Sequence, residues 1–256
     1  MSKDYIIESL TGKTKDKHKS KIPARLDLIQ SLTGLFLSLF ILLHLLFESS
    51  ILFGKEPMSK LSELFEGKAF IEGGSPFFII VLAIIIFILF AFHALLAMRK
   101  FPKSYREYMR FRTHAKLLNH PDTDLWFIQL ITGFMLLFLG SVHLYMMMTN
   151  AQNIGPFASS DRIYSDWMWI LYLMLLVTVV IHTAIGLYRL IMKWGFFQGM
   201  FPKKSRIKIR KLIKIITAFY LVIGFLSLFT YMKIGYEHQK NYGERYLSAK
   251  ELHHAN

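Results

Sequence analysis

Four histidines sit inside long apolar stretches of this chain: His44, His93, His143 and His182, one in each of four stretches. An ionisable ring in lipid is costly, so such residues turn inward and take a partner. A single imidazole is satisfied by donating to a backbone carbonyl. Four of them, one per stretch, point instead to ligation, because imidazole binds transition metals and haem iron. The chain has no cysteine. That excludes disulfides, thiolate-held iron–sulfur or zinc centres and the C-x-x-C-H haem attachment. No intramembrane carboxylate or thiol is expected beside the four rings, which makes transport of a hydrated metal ion a poor fit.

Depth pairs the rings. His44 lies about 28 Å along a helix from Arg25, and His143 about 26 Å from Trp126. His93 lies about 9 Å from Arg99, and His182 about 10 Å from Arg189. His44 and His143 therefore share an outer level, and His93 and His182 an inner one. Tilt brings the vertical gap to roughly 15 Å. Two stacked bis-imidazole sites are the geometry of two b-type haems gripped between helices. A local pattern also recurs. Gln30-Ser31-Leu32-Thr33-Gly34 precedes His44 as Gln129-Leu130-Ile131-Thr132-Gly133 precedes His143, with each Gly ten residues before its His. A glycine there removes bulk and admits a flat macrocycle or another helix. Haem propionates are anionic and need cations, amides or hydroxyls where they leave lipid. The inner candidates are Gln30, Ser31, Arg99, Trp126, Arg189 and Lys193. The outer candidate is Arg162, the one Lys/Arg between the third and fourth stretches.

The elements that must carry these residues are helices across a bilayer. Of 256 residues, 54% are hydrophobic and 19% charged, and mean hydropathy is +0.38, an apolar excess that argues for membrane spans. Five stretches, 28–53, 77–98, 125–149, 167–192 and 212–232, are each long enough to cross. The expectation is an all-α integral membrane protein, one membrane domain over 1–256, whose first four spans form the haem-binding bundle. The polar start carries no signal-peptide hydrophobic region, so the first helix is expected to be retained. Segments 1–27, 99–124 and 189–214 hold 23 of the 31 Lys/Arg and seven acidic residues, net +16, while the alternate segments are net −2. Basic loops stay in the cytoplasm, which predicts the N-terminus inside and the C-terminus outside. The formal charge of +14 is thus a topology signal, and no nucleic-acid partner is expected. All four Trp stand at span ends, where amphipathic rings anchor.

With these residues assembled, the chain resembles the dihaem cytochrome b anchors of quinol:fumarate reductases, in the succinate:quinone oxidoreductase family. The resemblance spans nearly the whole chain. It is carried by Pro23-Ala24-Arg25-Leu26-Asp27, Ala97-Met98-Arg99-Lys100-Phe101-Pro102, Gly140-Ser141-Val142-His143-Leu144-Tyr145, Gly186-Leu187-Tyr188-Arg189-Leu190 and Lys193-Trp194-Gly195. It implies a bacterial inner-membrane subunit that anchors a flavoprotein and an iron–sulfur protein on the cytoplasmic side. FAD and iron–sulfur clusters would lie on those partners alone. Electrons would pass from menaquinol through the outer haem (His44, His143) and the inner haem (His93, His182) to fumarate, and a dimer of heterotrimers is allowed. A family glutamate at the quinol site matches Glu66, where a carboxylate would accept a quinol proton.

One departure stands out. The family carries a glutamate two residues before its last haem histidine as a proton relay, and here that position is Val180. Valine carries no proton, so turnover is expected to be electrogenic, to use another route, or to be poised toward a lower-potential quinol. Three other readings stay open on the sequence. The same anchor could serve succinate oxidation, it could be the cytochrome b of a formate dehydrogenase or hydrogenase, or it could be a non-redox transporter or scaffold.

Overall fold

The computed structural model describes residues 21–68, 70–71, 74–102, 104–118, 121–197 and 202–247. The basic residues of 1–20 and the tail pair His253 and His254 lie outside them. The described residues form five helices long and apolar enough to cross a membrane, separated by three shorter helices, and contain no strand.

The first span is α1, Ile22–Glu48, which opens on Pro23, a residue whose fixed φ suits a first helical turn. The expected span reached Phe53. The helix instead tightens into a 3-10 turn over Ser49–Phe53 and stops at Gly54, whose φ of +117° suits a residue without a Cβ. A short helix, α2, Lys55–Phe65, follows. The second span is α3, Pro76–Met98, capped by the Ser75 hydroxyl, which accepts from the Phe77 amide. Helix α4, Tyr105–Leu118, lies in what sequence marked as a basic loop. The third span, α5, Pro121–Thr149, begins four residues earlier than expected, with Asp122 and Asp124 in the first turn facing the positive end of the helix dipole. Helix α6, Pro156–Tyr164, precedes the fourth span, α7, Trp169–Trp194, which ends on the left-handed Gly195.

The fifth span differs most from expectation. Helix α8 runs Pro202–His238, about 55 Å long, rather than 212–232. Its first ten residues are basic and not apolar, so hydropathy hides them. Lys and Arg are good helix formers, and the backbone continues through them.

Spans α1, α3, α5 and α7 form a closed ring in chain order, each packed on the next and α7 returning to α1. This is the up-down bundle that short connections favour. Helix α8 packs outside the ring against α7 and α1. Two ionic knots tie the basic end. Asp27 of α1 pairs with Lys100 and Lys193, beyond α3 and on α7. Asp122 of α5 pairs with Arg210 of α8 at 2.8 Å and accepts from the Tyr188 hydroxyl at 3.0 Å. At the far end α6 lies against α8, where Gly235 allows the helices to meet. A Cβ there would sit 2.5 Å from the Ser160 carbonyl oxygen. His238 of α8 pairs with the buried Asp161 of α6 at 2.9 Å, under the Phe157 ring. Gly235→Ala is therefore expected to force the helices apart at about 1–3 kcal/mol. A lowered melting temperature of the purified protein in detergent checks it.

Candidate functional site

The four histidines line one cavity of about 870 Å³ inside the four-span ring. That is the upper end of the size range of ordinary small-molecule sites. Its wall is mostly apolar side chains of α1, α3, α5 and α7, closed on one side by Gly224, Ser227, Leu228 and Tyr231 of α8. The span without a histidine is thus a wall of the site.

Toward the far end, the His44 and His143 rings face each other with centroids 6.2 Å apart. His44 stacks on Phe40, one turn earlier in α1, and His143 meets Tyr172 of α7 edge-on. Toward the basic end, His93 and His182 are held differently. His93 Nδ1 lies 3.1 Å from the Thr33 hydroxyl, and His182 Nδ1 lies 3.1 Å from the Thr132 hydroxyl. Each threonine donates its single proton to carbonyls of its own helix, Ile29 or Gln30 and Ile128 or Gln129. Each hydroxyl is therefore left to accept, which places the imidazole proton on Nδ1 and bares Nε2 for a ligand.

The repeated Thr-Gly pair thus serves a histidine on a neighbouring helix. A Cβ on Gly34 would meet His93 Cε1 at 2.9 Å, and one on Gly133 would meet His182 Cε1 at 3.2 Å. Sequence spacing linked these glycines to His44 and His143 of their own helices. Across the ring they receive the other pair.

The remaining candidates fall in three places. At the basic end, Lys193 donates to the Ser31 hydroxyl at 3.0 Å and pairs with Asp27, and Arg189 donates to Gln129 Oε1 at 2.5 Å. Gln30, Trp126, Arg189 and Lys193 all line the cavity, and the buried Gln30 Oε1 has no partner. Arg99 lies 3.9 Å from Asp27. At the far end Arg162 of α6 enters the cavity 8% exposed. Its Nη2 donates to the Asn153 carbonyl, while Nη1 is buried without a partner. Glu66 closes α2 and is 5% exposed. It accepts from Arg245 at 3.2 Å and lines a separate pocket of about 70 Å³ with Asn153, Gly155 and Tyr246. Asn153 joins this pocket to Arg162. Outside the spans, burial and then the Glu56 carboxylate push the Tyr246 phenol up, so it stays a donor beside Glu66.

One expectation needs correction. A carboxylate does join the histidines, because Glu48 ends α1 one turn beyond His44 and lines the cavity. It lies within the first expected stretch, 28–53. Val180 does not face the cavity. It packs with Leu176 against Tyr220 of α8. Sequence reasoning also missed the α6–α8 clasp, because Asp161 and His238 lie on two helices 77 residues apart.

The residues fit a flat bis-imidazole-ligated macrocycle. Nδ1 of each inner ring is engaged by a threonine, and among the described residues the buried His143 Nδ1, Gln30 Oε1 and Arg162 Nη1 have no hydrogen-bond partner. Among the described residues no three His, Asp or Glu side chains converge as a bare metal ion would need.

A closed ring of four spans with a histidine in each, walled by a fifth, defines a multi-span helical membrane subunit. The succinate dehydrogenase/fumarate reductase transmembrane subunit family matches residues 105–225. The fumarate reductase cytochrome b subunit of Wolinella succinogenes is 48% identical over 99% of this chain and 100% of its own length. Those of two Helicobacter pylori strains are 43% identical over 94% of this chain and 93% of theirs. The chain belongs to the fumarate reductase cytochrome b subunit family, and it is a multi-pass protein of the bacterial inner membrane.

Thr33→Val and Thr132→Val each remove an acceptor from a buried imidazole. Each is expected to lower stability by about 1 kcal/mol. Thermal melting in detergent reads the loss, and the serine variants should recover it.

Proposed function

We propose that this subunit anchors fumarate reductase and carries electrons from menaquinol, through two b haems, to an iron–sulfur partner on the cytoplasmic side. The convergence of four histidines at two levels of one cavity carries this reading. His44 and His143 hold the outer haem iron, and His93 and His182 the inner one. When bound, the haems supply one-electron transfer. The chain's own part is to orient the rings, exclude water and meet the propionates. Thr33 and Thr132 engage Nδ1 of the inner rings, which would leave Nε2 to hold an iron. Gln30, Ser31, Trp126 and Lys193 meet the inner propionates, and Arg162 the outer ones. Glu66 accepts a quinol proton from its pocket near the far surface. A flavoprotein and an iron–sulfur protein dock on the basic end, which faces the cytoplasm. Fumarate is reduced on the flavoprotein. The whole of 1–256 acts as one membrane domain.

The relatives' shared name, fumarate reductase cytochrome b subunit, supports the direction toward fumarate. The same geometry would serve succinate oxidation, and assay of the purified complex in both directions separates the two.

A reduced-minus-oxidised spectrum is expected to give two b-type haems per chain, and a spectrum without haem ends the proposal. Replacing His44 or His143 should remove one haem, and replacing His93 or His182 the other. With Val180 turned toward α8, quinol-driven turnover in proteoliposomes is expected to generate a membrane potential. Turnover without one removes the electrogenic reading.

A further inference from the structure

Glu48 is the one carboxylate among the described residues lining the four-histidine cavity, and no role above uses it. It stands one turn beyond His44, about 6 Å along the axis, on the same face of α1. Its Oε2 accepts from the Tyr231 hydroxyl of α8 at 3.1 Å, and Tyr231 is 3% exposed. A carboxylate placed among apolar spans is expensive and is kept for a purpose.

The other charged or titratable groups around it are accounted for. Arg162 of α6 donates to the Asn153 carbonyl, and its guanidinium carries no proton-accepting atom. Tyr172 and Tyr231 are phenols whose ordinary range lies far above neutrality. His44 of α1 and His143 of α5 are the proposed ligands. The charged side chains of α2 are engaged elsewhere: Lys55 lies over Phe157, Lys60 pairs with Glu56, and Glu63 pairs with Lys68. On α8, Lys233 pairs with Glu237. Position 180 offers no acid and faces away.

We propose that Glu48 is the proton acceptor coupled to electron arrival at the His44–His143 level. This rests on the haem reading above. An electron entering that level would remove one positive charge from a cavity walled mostly by apolar side chains, where charge interactions are strong. Glu48 is the group there that can restore the balance. Its carboxylate oxygen gains one O–H bond from its own lone pair and one proton of the far aqueous side, while the electron, which comes from the quinol, would rest on the iron that His44 and His143 would hold. When the electron moves to the inner level, the O–H bond breaks and the proton leaves by the same side. Tyr231 donates its hydroxyl proton to that carboxylate. The exchange needs no path through the membrane, because Glu48 lies where α1 ends and the 3-10 turn begins.

Potentiometric titration of the purified complex across pH tests this. One of the two haem midpoints is expected to fall as pH rises, by up to about 59 mV per unit, the one-electron equivalent of tenfold. Glu48→Gln should make that midpoint independent of pH while both haem bands persist. Tyr231→Phe, which takes a donor from the carboxylate, should move the sloping region to higher pH. Two haems whose midpoints are both flat in the native complex, or a slope that survives Glu48→Gln, overturn the proposal. If Glu48→Gln fails to assemble, Tyr231→Phe decides: a displaced slope supports it and an undisplaced slope overturns it. A native complex without two haems overturns the haem reading itself, a separate outcome.

Discussion

A polar ring in lipid has to be turned inward and satisfied there, and the rest of this structure follows from that constraint. Each of the first four spans carries one such ring. The spans can bury all four only by closing on one another, and the ring of α1, α3, α5 and α7 does so. The space between them is the cavity. Its walls are mostly apolar, so the polar side chains that line it stand out, the four imidazoles, Gln30, Arg162, Arg189, Lys193 and Glu48 among them.

The two ends of the cavity are built on different principles. At the basic end the rings are locked by hydroxyls from neighbouring helices and seated over glycines, and the cations around them are tied to Asp27 and Asp122. At the far end the rings have aromatic neighbours, and His143 Nδ1 has no partner. Charge arrives there on elements outside the ring, with Arg162 from α6 and the Tyr231 that binds Glu48 from α8. The α6–α8 clasp through Gly235, Asp161 and His238 therefore does more than close a loop. It sets where Arg162, the residue next to Asp161, enters the cavity.

Most of the architecture was legible in the residues. Five apolar runs, the distribution of basic loops and the four histidines led to a five-span helical bundle with paired interior imidazoles. The departures have common causes. Hydropathy follows lipid contact and not backbone conformation, so it began the fifth span at Leu212 although α8 already runs through Pro202–Lys211. The Gln-x-x-Thr-Gly repeat was visible, but its use was assigned within a helix when the contact is between helices.

The sequence by itself determined the spans, the levels of the histidines and the end of the bundle that is basic, because these depend on distance along one helix and on the cost of charge in lipid. The tertiary structure alone decided which side chains meet across helices. Thr33 reaches His93, Thr132 reaches His182, Val180 turns to α8, and Glu48 joins the cavity through Tyr231, 183 residues away in the chain. Those pairings depend on the rotation of each helix about its axis. That rotation is set by packing against neighbours, which no single stretch of sequence contains.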